Sequence, residues 1–314
     1  MERWEVFLRA LAERVAVANE TDLTTRCWKH STLGGEIKTV IKANQKVLRV
    51  TFPSARDVIE QLIRMGWIYP VTVQSPKNVA PLEFLLLDRE GGKGDPINPL
   101  ELLQAFLPNG VVSYFSAIGY YELTTQPISH HHIARLGPAK LPKRTEPGPT
   151  AAESRLKTEV LERNPLGTEL FHFADAGYYL NRRDASLAPG IQTRVVTPRC
   201  WLRITTLEQT LLDGLMQPIR CGGEAVVMEA WETGGKQIDA ERLAEHLGKI
   251  QREDLDRRVG AMAELLGLDF SGSALESRLQ AIKSRLPLQS APEIPLLAGL
   301  AFSGVSRVWQ VQTP

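Results

Sequence analysis

Three adjacent histidines, His130–His132, are the most conspicuous residues in this 314-residue sequence that could carry chemistry. Side chains that follow one another along an extended segment point alternately to opposite faces, so a single run rarely supplies a closed metal site. No cysteine or carboxylate lies within a few residues at the spacing that metal ligands need. The sequence therefore predicts a histidine triplet in a loop or at a strand edge, and no metal site.

Two short motifs contain carboxylates, whose oxygens are the ligands that Mg²⁺ prefers. Glu36 and Lys38 have the E-x-K spacing of nucleases, but no acid-bearing strand precedes them and their segment has a helical pattern. Asp254 and Asp256 have the D-x-D spacing of nucleotidyltransferases, but no Gly-Ser strand turn precedes them. Their run, QREDLDRR, is typical of a solvated helix surface. We therefore expect neither pair to be catalytic.

The other motifs for catalysis or cofactor binding are incomplete. Cys27, Cys200 and Cys221 form no C-x-x-C pair, and each is expected to be a small buried or half-buried residue. Gly91–Gly92 and Gly222–Gly223 lack the rest of a P-loop or dinucleotide fingerprint, and no G-x-S-x-G elbow is present. The sequence therefore predicts a protein that is not an enzyme and has no cofactor.

Cationic side chains near the N-terminus indicate an anionic partner instead. Nine Lys and Arg residues against four Asp and Glu give Thr21–Asn78 a net charge of +5, whereas the whole chain has +1. Lys38, Lys42 and Lys46 lie at i, i+4 and i+8 within the helical pattern of Gly35–Lys46. Like charges at this spacing repel by roughly a few tenths of a kcal/mol per pair. A bound polyanion would relieve this cost, but a solvated lysine face would show the same pattern.

The clearest helix of this region begins after Ser54. Ser54 is a good N-cap, and Asp57 three residues later resembles the acidic partner of a capping box, while Gly66 supplies a stop signal. At about 100° per residue, apolar and polar side chains separate onto two sides. The apolar side comprises Ala55, Val58, Ile59, Leu62, Ile63 and Met65, and the polar side comprises Arg56, Asp57, Glu60, Gln61 and Arg64.

Three predicted helices followed by a hairpin are typical of a winged helix-turn-helix domain. The first helix has Trp4, Phe7, Leu8, Leu11, Val15 and Ala18 at helical spacing. Two β-rich runs, Trp67–Val73 and Leu82–Asp88, flank the turn Gln74–Pro81. In such a domain the third helix enters the major groove, about 12 Å wide, and the wing approaches the backbone. The predicted DNA-binding residues are Lys38, Lys42, Lys46, Ser54, Arg56, Gln61, Arg64 and Lys77.

Two acidic residues leave a second interpretation open. Asp57 and Glu60 share the exposed face of the third helix with Arg56 and Arg64, and DNA phosphates would repel them. Winged helices also serve as protein–protein modules. The N-terminal region is therefore expected either to bind double-stranded DNA or to dock a protein partner of a defence complex without DNA contact.

Two segments rich in Gly and Pro, Glu90–Pro99 and Gly137–Thr150, interrupt regular structure. We therefore expect a winged-helix domain over residues 1–90, a helical connector and Pro-rich linker over 91–150, and an α/β domain over 151–314. The predicted fold class is α+β, with a C-terminal domain that ends in helices.

The elements expected beyond the first break alternate between the two types. Helices are expected over Pro99–Leu107 and Val112–Leu123, twice within Ile204–Glu232, and near Ala240–Lys249, Leu255–Leu266 and Ser273–Arg285. Strands are expected at Glu169–Ala174, Gly177–Leu180, Gln192–Thr197 and Cys200–Thr205. Thr206 with Gln209 predicts a capping box at the start of a helix.

The order of these features resembles the AbiEi-type antitoxins, transcriptional regulators of type IV toxin–antitoxin (abortive infection) modules. The resemblance covers residues 50–235 and depends on the winged-helix pattern, the tyrosine-rich SYFSAIGYYELTTQ, and ITTLEQTLLDGLMQP followed by GGEAVVMEA. It implies operator binding, autoregulation, a role in phage defence, and a nucleotidyltransferase-type toxin opposed without a stable complex. The chain departs from the family pattern by an extra segment around Asn19–Gly35, which leaves the identity of the recognition helix open.

Composition excludes several other classes. A 43% hydrophobic fraction with 23% charged residues is ordinary for a globular protein. No apolar run is long enough to span a bilayer, and the start MERWEVFLRALAER mixes charges into its apolar residues, so neither a membrane nor a secretory signal is expected. Three cysteines favour a reducing compartment and hence the cytoplasm. Operators are often two-fold, which favours a homodimer.

Overall fold

The computed structural model describes residues 3–17, 26–48, 54–77, 82–87, 97–138, 164–197, 200–286 and 292–314. The fold is α+β, and the chain divides into two compact units. The first comprises Met1–Asn109, Leu170–Asp175 and Thr193–Arg203, and the second comprises Gly110–Glu169, Ala176–Gln192 and Ile204–Pro314. Both predicted domain boundaries fall mostly outside the described residues, so the predicted division into domains stays a prediction. No helix among the described residues is both long and apolar enough to cross a bilayer.

Helices and a small antiparallel sheet form the first unit. Its elements are α1 (Arg3–Val17), β1 (Cys27–Lys29), α2 (His30–Leu48), α3 (Ala55–Arg64), β2 (Ile68–Thr72), β3 (Glu83–Leu87) and α4 (Pro99–Phe106). The strand order is β1-β3-β2, with Cys27 opposite Leu86 and Ile68 opposite Leu87. The predicted helices and the two predicted strands are confirmed. Strand β1 was not predicted, because three residues are too few for an alternating pattern to show.

The core of the first unit collects one face from each of its first helices. Phe7, Ile37 and Ile59, from α1, α2 and α3, are at most 2% exposed. Met65 was predicted on the apolar side of α3, and this is wrong: its side chain is 42% exposed. The helix ends at Arg64, so Met65 is the C-cap and lies past the packed turns. The side chains of Trp4, Val15 and Ala18 lie outside the described residues.

A mixed sheet and a bundle of helices follow α4. The next elements are β4 (Val111–Val112), α5 (Phe115–Tyr120), β5 (His130–Gly137), β6 (Thr168–Phe173), β7 (Ala176–Asp184), β8 (Ile191–Thr197) and β9 (Cys200–Thr205). The strand order is β6-β7-β5-β4-β9-β8. Strands β5 and β7 run parallel with His130 opposite Gly177, and β4 pairs antiparallel with β5 and parallel with β9. The four predicted strands are confirmed.

The C-terminal helices form where the sequence predicts them. They are α6 (Leu207–Met216), α7 (Glu224–Gly234), α8 (Ala240–Ile250), α9 (Glu253–Leu266) and α10 (Ala274–Arg285). Their buried faces surround Trp231, which is fully buried in the core of the second unit. Half of the predicted capping box is present: the Thr206 hydroxyl accepts from the Gln209 amide. The Gln209 side chain does not return the bond, because its Oε1 accepts from the Gly190 amide and the Thr206 amide donates to the Gly190 carbonyl.

Two predicted elements of this region are wrong in part. Val112–Leu123 was predicted as one helix, but β4 ends at Val112 and α5 begins only at Phe115. Tyr114 has φ +59° and interrupts any continuous helix between them. The chain was also predicted to end in helices, but β10 (Ile294–Pro295), β11 (Gly304–Ser306) and β12 (Val311–Thr313) form a small sheet after α10. Strands of two or three residues leave no periodic signal.

Candidate nucleic-acid interface

Helix α3 is positioned by a complete capping box. The Asp57 amide donates to the Ser54 hydroxyl at 3.4 Å, and the Asp57 carboxylate accepts from the Ser54 amide at 2.7 Å and from its hydroxyl at 2.9 Å. An N-cap of this kind stabilises a helix by about 1 kcal/mol. Ser54 and Asp57 are therefore committed to the start of α3, which assigns Ser54 a positioning role at the predicted interface.

The exposed side of α3 carries two arginines. Ala55, Val58, Ile59 and Leu62 are buried, as predicted from the helical period. Arg56 and Arg64 are exposed, and Gln61 is half-buried. Arg56 Nε lies 3.2 Å from Glu60 Oε1, in an ion pair whose side chains are 80% and 47% exposed.

The pair between Arg56 and Glu60 is too exposed to hold Arg56 firmly. Surface ion pairs contribute a median of about 0–1 kcal/mol, since both partners remain hydrated. A phosphate could therefore replace Glu60 as the partner of Arg56 at small cost. The predicted repulsion by Glu60 remains present, because its carboxylate lies on the same face.

Helix α2 adds a second cationic face. Lys38 and Lys42, one turn apart, are both exposed, whereas Ile37 and Val40 of the same helix are buried. Glu36, the acidic residue of the E-x-K motif, accepts from Arg14 of α1 at 2.7 Å. Glu36 is therefore a partner in an interhelical ion pair, and it lies on a helix, as the sequence indicated. The Lys46 side chain lies outside the described residues, although its backbone belongs to α2.

The predicted wing is described only at its base. Gln74 pairs with His172 through two backbone hydrogen bonds of 2.9 and 2.8 Å, and Lys77 is exposed. Residues 78–81, the second half of the predicted turn Gln74–Pro81, lie outside the described residues. Within the first unit, the structure thus leaves Lys38, Lys42, Arg56, Arg64 and Lys77 accessible to an anion.

The three histidines belong to strand β5 and lie within the second unit. Asn181 Nδ2 donates to the Leu166 carbonyl at 2.7 Å, so its Oδ1 accepts from His132 Nδ1 at 3.0 Å. His132 Nε2 then accepts from His130 Nδ1 at 2.7 Å. As predicted from strand alternation, His131 points to the other face, where its Nδ1 lies 3.4 Å from the Ser116 hydroxyl.

Burial keeps this histidine chain neutral. It lowers the pKa of His130 and of His131 to about 4, and it lowers the pKa of His132 well below 6.5. Both ring nitrogens of His132 and the Nδ1 of His130 are used in hydrogen bonds, and no cluster of three potential metal ligands occurs among the described residues. The arrangement suits a packed hydrogen-bonded chain better than a metal site.

The D-x-D motif is structural, and its prediction as a solvated surface is wrong for Asp256. Asp256 is 1% exposed and accepts from Arg278 Nε at 2.6 Å and Nη2 at 2.9 Å. Arg257 is also buried and donates to three backbone carbonyls, including that of Trp309 at 2.7 Å. The sequence run could not show this, because the partners lie 22 or more residues away.

The three cysteines are buried and form no disulfide, as predicted. Burial raises the pKa of the Cys27 and Cys221 thiols above 9.0, which keeps both thiols protonated and unreactive at neutral pH. A buried ion pair of the first unit, between Arg26 and Glu101 at 3.1 Å, was not predicted. Its partners are 75 residues apart, so no local pattern connects them.

Comparisons with known proteins find similarity only among solved structures. No family model matches the chain, and no curated protein matches it. Among solved structures, the chain is similar to the RV2827C protein from Mycobacterium tuberculosis, with 15% sequence identity and a TM-score of 0.48. The similarity covers 96% of this chain and 90% of that chain. At this level the similarity carries no inference about function.

Proposed function

We propose that this chain is a DNA-binding transcriptional regulator that acts as the antitoxin of a type IV toxin–antitoxin module and represses its own operon. In this proposal the first unit is a winged helix-turn-helix, α3 is the recognition helix, and β2 and β3 form the wing. The observation that carries the proposal is the division of α3 into a buried apolar face and an exposed face with Arg56 and Arg64. The order α1-β1-α2-α3-β2-β3 supports it.

The charges assign different tasks to the two helices. Arg56, Gln61 and Arg64 would reach base edges or nearby phosphates, because arginine and glutamine form paired hydrogen bonds with bases in the major groove. Lys38, Lys42, Lys46 and Lys77 would contact phosphates, which positions the protein without reading sequence. The antitoxin part of the proposal depends on the resemblance to AbiEi-type proteins. The proposed partner there is a nucleotidyltransferase-type toxin, opposed without a stable complex.

A mobility-shift titration on the chain's own promoter region tests the DNA-binding proposal. Arg64→Ala should weaken specific binding by roughly 1–3 kcal/mol, whereas unrelated DNA should be affected less. Lys42→Ala should weaken binding to all sequences similarly and reduce the salt slope by about 1. Arg9→Ala, which removes an exposed arginine from α1, is the matched control and should leave both quantities unchanged. Wild-type affinity in both α2 and α3 variants would contradict this placement of the interface.

A protein-docking module is the second candidate function, and a specific observation favours it. Met65 is 42% exposed directly after Arg64, and Asp57 and Glu60 are exposed on the same helix. An apolar side chain flanked by both charge signs suits a protein surface better than a phosphate backbone. Absence of salt-sensitive DNA binding, together with a co-purifying partner that is lost in Met65→Lys, would favour docking over DNA recognition.

A further inference from the structure

A small cavity in the second unit is lined mainly by charged side chains. It has a volume of about 120 Å³, and four arginines and two aspartates are among the residues that line it. Cavities for drug-sized ligands occupy roughly 300–1,000 Å³, so this one is suited to a small group. Whether its charge favours an anion depends on which arginines are neutralised within the protein.

Arg183 lines the cavity, and its charge is neutralised by Asp213. Both of its terminal nitrogens donate to Asp213, one at 2.6 Å, and Nη2 also donates to the Leu187 carbonyl at 2.6 Å. Asp213 is 0% exposed and accepts a further bond from Gln209 at 2.8 Å. The Asp213 oxygens accept these hydrogen bonds and its charge is balanced by Arg183, so Asp213 does not oppose an anion in the cavity.

Arg220 is half-buried and lines the cavity without a carboxylate partner among the described residues. Its Nε donates to the Pro165 carbonyl at 3.0 Å, and among the described residues no carboxylate forms an ion pair with it. The guanidinium lies 5.7 Å from the centre of the Tyr114 ring. Gly222 ends the turn that carries Arg220, and its φ of +90° favours glycine. A side chain at this position would also meet the Phe115 ring at 2.9 Å. The position of Arg220 is therefore set on both sides.

Tyr114 is held in a backbone conformation that non-glycine residues rarely adopt. Its φ is +59° and ψ is −134°, and its side chain is 3% exposed between Arg183 and Arg220. Such conformations cost about 1–3 kcal/mol and concentrate at ligand sites. The strain places the Tyr114 ring against both arginines.

Arg182, Arg252 and Asp184 complete the charged lining, and Arg182 is exposed, so the charge balance of the cavity is positive. Arg252 is paired with Asp254 at 2.6 Å, in a partly exposed contact that a stronger anion could share. Asp184, the second lining aspartate, accepts from the amide and hydroxyl of Ser186 at 2.9 and 2.8 Å. The Asp184 Oδ1 therefore faces the short helical turn that follows β7.

We propose that this cavity, named here the Arg220 pocket (Tyr114, Arg183, Asp213, Arg220 and Arg252), binds a phosphate group. The occupant is inorganic phosphate or the phosphate of a small monoester such as a nucleotide. Arg220 binds the oxygens as the unpaired fork, the Tyr114 hydroxyl donates to the same group, and Arg252 closes the rim. This site is separate from the proposed DNA interface and does not depend on it.

Isothermal titration of the full chain with inorganic phosphate and with AMP, at low ionic strength, tests the pocket. We expect one saturable site per chain, and about tenfold or greater weakening in Arg220→Gln. Arg285→Gln, which removes an exposed arginine elsewhere in the same unit, should leave the affinity unchanged. Tyr114→Phe keeps the ring and removes the hydroxyl, so a smaller loss is expected there.

The outcomes separate the sources of the anion and decide the proposal. Tighter binding of AMP than of phosphate assigns a nucleotide monoester, and equal or weaker binding assigns the free anion. Arg220→Lys keeps the charge without the fork and should give an intermediate affinity, which serves if Arg220→Gln does not fold. Absence of saturable binding by the wild type at about 10 mM of either ligand overturns the proposal. Equal losses in Arg220→Gln and Arg285→Gln would overturn it as well.

Discussion

The exposed Arg56–Glu60 pair of the first unit and the buried Arg183–Asp213 pair of the second unit use arginine in opposite ways. In the first unit, Arg56 is 80% exposed and its partner Glu60 is 47% exposed, so water and salt weaken the pair. In the second unit, the Arg183 side chain is 5% exposed and Asp213 is fully buried, with two direct contacts between them. Exposed arginine is available to an external anion, whereas buried arginine is already bound within the protein. The difference teaches that accessibility, rather than residue type, separates an interface from a scaffold.

The largest expected effect is on the buried side of this comparison. Asp213→Ala should lower the free energy of unfolding by about 3–5 kcal/mol, because it leaves the Arg183 guanidinium buried without its counter-charge. Urea unfolding followed by circular dichroism measures the change. Asp269→Ala, which removes an exposed carboxylate from the same unit, is the control and should change stability little. A loss similar to the control would show that Arg183 is not held by Asp213.

The second expected effect is a loss of stability at low pH that is larger in the second unit than in the first. Because burial lowers the pKa of His131 to about 4 from 6.5, the unfolded chain takes up a proton at a higher pH than the folded chain. The stabilisation is complete above pH 6.5 and falls as the pH drops toward 4, by at most about 1.4 kcal/mol per pH unit for this group. His132 shifts in the same direction, since burial, His130 and Arg220 lower its pKa while Asn181 opposes them.

Amide hydrogen exchange checks this pH dependence region by region. Protection of β5 should fall between about pH 7 and about pH 5, and protection of α2 should fall less, because the shifted histidines lie in the second unit. His131→Phe removes one titrating group and should flatten the dependence. Equal loss of protection in β5 and α2 would contradict the assignment to the histidines.

A smaller effect is expected where the first unit begins its exposed helix. Ser54→Ala should reduce stability by about 1 kcal/mol, since it removes the hydroxyl that caps α3. Ser54→Thr keeps the hydroxyl and should retain most of the stability. Thermal unfolding of the two variants measures the difference. If Ser54→Ala instead lost DNA binding at unchanged stability, Ser54 would be a contact residue and not a positioning residue.

The smallest expected effect tests the exposed side directly. Arg56→Ala should change the free energy of unfolding by less than about 0.5 kcal/mol, because the Arg56–Glu60 pair is exposed. Its effect should appear in DNA affinity. A destabilisation comparable to that of Asp213→Ala would contradict the distinction between the exposed Arg56–Glu60 pair and the buried Arg183–Asp213 pair.

The exposed face of α3 could be predicted because it depends on local rules. The cap at Ser54, the 3.6-residue period of the apolar side chains and the stop at Gly66 all act within one helix, and each is confirmed. Met65 was misplaced because it follows the last residue of α3, and the period does not show which side chains neighbouring elements cover. The same reason explains β1, whose three residues form a strand only because β3 lies beside them.

For the histidine run, the local pattern predicted the faces of the side chains but not their burial. Strand alternation placed His130 and His132 on one face and His131 on the other, and the structure agrees. Their burial, and the low pKa values that follow, depend on Asn181 and on neighbours far along the chain. No residue near the run indicates these partners.

By itself, the sequence determined most of the helical segments, where most of them begin, and which residues of α2 and α3 carry positive charge. Only the tertiary structure decided which charges are free. Asp256 and Arg257 belong to a run that is as polar as any exposed helix, yet both are buried with partners more than 20 residues away. Arg183 and Asp213, 30 residues apart, pair in the same way. The physical reason is that helix periodicity and capping act between neighbours in sequence, whereas burial of a charge depends on a partner brought close by folding.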